Sequence, residues 1–109
     1  MKVYVIVRKD LEPAQQIVQA CHAVAELFML LGPHSWWQSL PEWGREHKTI
    51  VVLGVKNEVT LARFCHFKPE WLAVATFKEP DMDNQLTAAA CGPVPDELAD
   101  EVFGKFNLL

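Results

Sequence analysis

The sequence predicts an α/β fold, a mixed four-stranded sheet with helices packed on it, and three observations point there. Short valine-rich runs alternate with longer segments of helical periodicity, which implies parallel strands joined by right-handed crossovers. The last two strand-like runs are separated only by the short polar segment Glu79–Gln85, which makes them antiparallel neighbours. Half of the 109 residues are hydrophobic, enough for the core of one ordinary domain spanning 1–109.

Lys2–Val7 alternates and is rich in valine, as a buried strand is. Arg8–Pro13 breaks it, with Asp10 placed to cap a helix that has Glu12 and Pro13 in its first turn. From Pro13 to Leu31 the apolar residues Ile17, Ala20, Cys21, Val24, Leu27, Phe28 and Leu31 follow helical spacing, and Gly32-Pro33 stops the run. Ser35–Trp43 reads as a short helix carrying Trp36, Trp37, Leu40 and Trp43, tryptophans that suit packing because no basic residues are interleaved. Thr49–Val55 is a second strand. A helix then starts at Asn57 or Thr60, with Val59, Leu61, Ala62, Phe64 and Cys65 on its apolar face. Trp71–Phe77 is a third strand and Leu86–Cys91 a fourth, ended by Gly92-Pro93. Pro95–Phe106 reads as the last helix, its acidic opening Asp96-Glu97 matched to the positive helix end.

Composition narrows the function. Ten basic against fourteen acidic residues give a net charge of −4, the opposite of the basic surplus that phosphate binding usually brings. The opening is not a signal peptide, and no run approaches a membrane span, so no membrane association is expected. Three cysteines without CxxC spacing read as reduced, buried thiols of a cytoplasmic protein. Cys21-His22 and Cys65-His66 are poor chelates, since adjacent helical residues point about 100° apart.

Two segments carry candidate chemistry. Where the first strand gives way to the first helix, Arg8 and Asp10 are followed by Gln15, Gln19 and His22, which share one helix face. They form either a ligand-facing row or the solvated side of an amphipathic helix. The turn after the third strand holds Glu79, Asp81 and Asp83 and leads to Thr87. Paired carboxylates can divide acid and base roles or bind a hard cation, and they can equally be a solvated loop.

These segments together resemble the type 2 peptidyl-tRNA hydrolase superfamily, in a divergent branch of bacterial or phage type. Val3–Leu11 is similar to that family's first strand and turn, and Gln19-Ala20-Cys21-His22-Ala23 to its Q-C-S-H-A helix motif. Lys48–Leu53 is similar to its second strand. Thr87-Ala88-Ala89-Ala90-Cys91-Gly92-Pro93-Val94-Pro95, with the closing Phe106–Leu109, is similar to its T-V-L-A-I-G-P-A-P segment and end. The resemblance implies a mixed four-stranded sheet with helices on both faces (a three-layer α/β/α arrangement), a homodimer, and hydrolysis of the ester joining a peptide or aminoacyl group to tRNA. It implies neither metal nor other cofactor. Matched residue by residue, Gln15 stands at the family's lysine, Glu79 at its aspartate with Asp81 as competitor, and Thr87 at its farther threonine; His22 is kept. The nearer threonine falls in a shortened stretch and has no match. On this reading His22, Glu79, Thr87 and Gln15 are catalytic, with Glu79 or His22 as base and Gln15 and Thr87 as oxyanion donors. Arg8, Asp10, Gln19 and Asp81 are substrate-binding. Gln15 cannot supply a lysine's charge. That substitution and the acidic balance also fit a non-catalytic binding module on the same fold, or an altered activity.

Overall fold

The computed structural model describes residues 1–32 and 39–109. In chain order the elements are β1 (Lys2–Arg8), α1 (Pro13–Leu31), α2 (Ser39–Arg45), β2 (Ile50–Val55), α3 (Glu58–Phe67), β3 (Val74–Glu79), a 3₁₀ turn (Pro80–Met82), β4 (Gln85–Val94), α4 (Asp96–Phe103) and β5 (Asn107–Leu108). The fold is mixed α/β. β1 and β2 pair in parallel across α1, while β4 runs antiparallel to both β1 and β3.

The sheet has five strands, not four, in the order β3-β4-β1-β2-β5. The fifth was missed because it is only two exposed residues long, too short for any periodicity. It adds Leu108 against Leu53 and Asn107 against Gly54. To reach that edge the last helix ends at Phe103, three residues earlier than the sequence suggests. β4 runs past the expected stop, through a cis Gly92-Pro93 bond with Gly92 at φ 105°. The helix expected over Ser35–Trp43 is represented by α2. Trp36 and Trp37 lie outside the described residues. Trp43 is buried and donates from Nε1 to the Thr49 carbonyl at 2.9 Å.

Strand alternation divides the core into two. Val3, Val5 and Val7 of β1, with Ala75, Ala88 and Ala90, face Ala23, Leu27 and Leu31 of α1. Tyr4, Ile6, Ala89, Cys91 and Val94 point the other way, onto Leu61 and Phe64 of α3 and Val102 and Phe103 of α4. Ala88 and Ala90 of β4 bring α1 close to the sheet, because a methyl group is all that stands between them at each position.

Three expectations about individual residues are corrected. Asp10 caps nothing: Glu12 is the N-cap of α1 and makes no side-chain cap bond, while Asp10 is engaged by Arg8. The buried stripe of α1 is Gln19, Ala23, Leu27 and Leu31, and Ile17 is 66% exposed. The helix is turned by the polar partners that Gln19 finds on the sheet. The thiols are not all buried either: Cys21 is exposed, Cys65 half-buried and only Cys91 buried.

Candidate functional site

The site lies where the C-terminal ends of β1 and β3 meet the start of β4, under the first two turns of α1. Pro13 at the first helical position opens α1, and three side chains of one helix face follow at i, i+4 and i+7: Gln15, Gln19 and His22. β3 supplies Phe77 and Glu79. β4 supplies Thr87. The reversal between these strands needs Asp83 and Asn84 at φ 54° and 58°, a left-handed geometry that Asp and Asn tolerate better than most residues. It sets Glu79 directly across from Gln85.

Gln19 is fully buried at the head of an apolar stripe, so its amide must be satisfied internally. Its Nε2 donates to Gln15 Oε1 at 3.0 Å and to Glu79 Oε1 at 3.1 Å. Its Oε1 accepts from the Thr87 hydroxyl at 2.8 Å. The direction of this chain follows from its donors and acceptors. The NH₂ end of Gln19 faces the carboxyl oxygen of Glu79, an acceptor, and its carbonyl end faces the Thr87 hydroxyl. Thr87 must then donate, and its hydroxyl also lies 3.2 Å from the Phe77 carbonyl.

Two hydrogen-bonding groups at the outer end of this chain stay unspent among the described residues. The carbonyl of Gln15 is taken, but its NH₂ is unpartnered and the side chain is exposed. One oxygen of Glu79 is held by Gln19, and Oε2 has no hydrogen-bond partner among the described residues. An unspent donor and an unspent carboxylate oxygen on two side chains that share the Gln19 amide are the kinds of group that a polarised carbonyl and an attacking water require. His22 is exposed nearby, its ring stacked on Phe77 with centroids 4.3 Å apart and planes 11° from parallel. That stack fixes the ring and leaves its nitrogens at the surface.

The other candidates fall elsewhere. Arg8 lies on the opposite face of the sheet and is nearly buried. Its Nε and Nη2 grip both oxygens of Asp10 at 2.9 Å, and Nη1 donates to Gln85 Oε1 at 2.9 Å and to the Leu86 carbonyl at 3.1 Å. These bonds hold the Asp10 carboxyl below the usual carboxylate range and the Arg8 guanidinium above its ordinary value. Asp81 is exposed in the 3₁₀ turn with no side-chain partner among the described residues. No group of three His, Cys, Asp or Glu side chains that could hold a metal ion forms among the described residues, so Glu79, Asp81 and Asp83 do not converge. Phe77 was missed by sequence reasoning. Its position opposite His22 depends on strand register, which no local pattern shows.

The family described as Peptidyl-tRNA hydrolase PTH2 matches residues 1–109. A peptidyl-tRNA hydrolase of Methanocaldococcus jannaschii is 30% identical over 116 aligned positions, covering all of both chains. One from Metallosphaera sedula is 28% identical over 117 positions, again covering all of both. A solved protein of unknown function from Agrobacterium, Atu0240, shares the fold at a TM-score of 0.66 with 15% identity, covering 99% of this chain and 96% of its own.

Proposed function

The chain belongs to the peptidyl-tRNA hydrolase PTH2 family, and from that premise we propose that it cleaves the ester between a peptidyl or aminoacyl group and the terminal ribose of tRNA at the Gln15–Gln19–Glu79–Thr87 chain. The function is peptidyl-tRNA hydrolase-like and the enzyme a carboxylic ester hydrolase, as the archaeal relatives are named. The observation that carries the residue assignment is the pair of unspent groups held together by the buried amide of Gln19.

In this reading Glu79 Oε2 takes a proton from water as the water oxygen attacks the ester carbonyl carbon. The Gln15 NH₂ donates to the oxygen that gains charge. The carbon–oxygen bond to the ribose then breaks, and the ribose hydroxyl leaves with the proton that Glu79 returns. Gln19 and Thr87 touch no reacting atom in this scheme. They are positioning residues that aim one carboxylate and one amide at the same point. His22 on its Phe77 platform packs beside the ester as a surface contact, and Asp81 meets the substrate from the turn. Of the two side chains expected as oxyanion donors, Gln15 alone keeps that role in this scheme, because the Thr87 proton is already committed.

The substrate class supplies the tRNA partner. A homodimer is supported by the apolar side chains that α1 leaves outside, Ile17 and Met29 among them, at 66% and 73% exposure. No described helix is long and apolar enough to cross a membrane. The absence of disulfide pairing among the three cysteines supports a cytoplasmic setting.

Release of labelled peptide from peptidyl-tRNA tests the assignment directly. The wild-type protein is expected to turn over and Glu79→Gln to lose the chemical step while melting at the same temperature. Saturable tRNA binding without turnover in the wild type, unchanged in Glu79→Gln, would establish the binding-module alternative instead.

A further inference from the structure

On the face of the sheet away from α1, a cavity of about 690 Å³ opens between α3, α4 and the β2–β5 edge. Lys9, Lys56, Arg63, Lys68 and Lys105 line it, half of the ten basic residues of the chain, against one carboxylate, Glu101. In a protein of net charge −4 such a gathering is uneven enough to require a reason. None of the five takes part in an ion pair among the described residues; those pairs involve only the N-terminus, Lys2 and Arg8. Lys68 donates to the Leu72 carbonyl at 3.1 Å, and Lys105 Nζ stands 5.3 Å from the centre of the Phe106 ring. Five cations grouped around a single carboxylate repel one another, and an anion entering between them relieves that repulsion.

The backbone accommodates the grouping. Lys9 belongs to the turn after β1, one strand away from the cavity. Its stem crosses β2 over Gly54, where a Cβ would come within 2.5 Å of Lys9 Cε. Gly54 shares the α1 face of the sheet with Val7 and Val52, so the Lys9 stem crosses β2 on that face, which only a glycine allows, and Lys9 joins the lining of the cavity from there.

The lining also holds an aromatic ring that the core does not use. Phe67 ends α3 at the lip and is 78% exposed, with the His66 ring edge-on at 4.6 Å. A lone phosphate would leave that ring without a partner, and a duplex would present phosphates but no free base face. Cations flanking an open aromatic ring match an unpaired strand, whose phosphates seat on the cations while a base stacks on the ring.

We propose that this cavity is a second binding site, for single-stranded nucleic acid, with phosphates on Lys56 and Arg63 and a base on Phe67. The sheet separates it from the Gln15–Thr87 chain, so binding there does not depend on ester cleavage.

Fluorescence anisotropy with a short fluorescein-labelled single-stranded RNA of mixed sequence tests it, with the same sequence as a duplex and a free mononucleotide as competing arms. The wild type should bind the single strand more tightly than either arm, with affinity falling as salt rises. The double variant Lys56→Gln/Arg63→Gln should bind at least tenfold more weakly, with a salt slope shallower by about 1.4, or ~0.7 per lost phosphate contact. Phe67→Ala should bind at least about fivefold more weakly. All three side chains are exposed, so the variants should melt as the wild type does. Unchanged affinity in the double variant overturns the proposal. So does duplex binding as tight as single-strand binding with Phe67→Ala neutral. Loss of binding in Gln15→Ala with the cavity variants intact also overturns it, because the RNA would then sit on the α1 face.

Discussion

Two polar clusters enter the sheet at the same end, one on each face, and they differ in what they leave undone. Around Arg8, four of the guanidinium's five N–H donors are committed, to both Asp10 oxygens, Gln85 and the Leu86 carbonyl. Around Gln19 the interior bonds are just as complete, yet among the described residues the chain ends in an open NH₂ on Gln15 and an open oxygen on Glu79. The first cluster locks the start of β4 to the end of β1. The second holds two groups ready for a ligand. Charge alone would have ranked them the other way, since arginine and aspartate attract functional suspicion and glutamine does not.

The contrast can be broken most forcefully at Glu79. Replacing its carboxylate with an amide removes the base and keeps the shape, so Glu79→Gln should lower kcat by about 10² to 10⁴ in peptide release from peptidyl-tRNA. At Gln15, Ala should cost about 10²-fold in kcat as an oxyanion donor is lost. Gln15→Lys should retain or raise kcat over wild type, because an ammonium is a stronger donor to developing negative charge. If Lys and Ala behave alike in single-turnover assays, Gln15 is not the donor.

The Arg8 cluster should respond in stability instead. Arg8→Met strips the partner from the buried Leu86 carbonyl, for a loss of about 1–3 kcal/mol in urea unfolding with kcat nearly unchanged. The smallest effect is in pH. The folded-state pKa of Asp10 is depressed, chiefly by its hydrogen bonds from Arg8, so its stabilisation is present above the ordinary carboxylate value of about 3.9 and is lost as pH falls through the lower folded value. The urea midpoint of wild type should therefore fall more steeply in acid than that of Asp10→Asn.

Much of this was legible in the sequence, for physical reasons that also mark the limits. Helical periodicity alone puts Gln15, Gln19 and His22 on one face, and the short Glu79–Gln85 link makes β3 and β4 antiparallel neighbours. What it could not show is that Gln19 points inward while Ile17 points out, because that choice depends on partners sixty or more positions along the chain, Glu79 and Thr87. Asp10 reads as a cap by position and becomes a guanidinium partner because Arg8 is two residues away on the strand end. The cluster of cations was invisible for the same reason. Its members run from Lys9 to Lys105, and a negative net charge conceals a local surplus.

The alanine run of β4 has a bearing on how such a protein changes over time. Ala88 and Ala90 are fully buried beneath the helix that carries Gln15 and Gln19, and Ala89 is fully buried beneath the opposite layer. Adding even a methyl group at Ala88 or Ala90 would lift α1 outward and carry the amide of Gln19 away from Thr87, while enlarging Ala89 would press on the α3 side alone. Three adjacent small residues therefore act as separate shims under two surfaces. A lineage, or a mutagenesis library, can retune one face by swapping one residue of the strand and leave the other as it was.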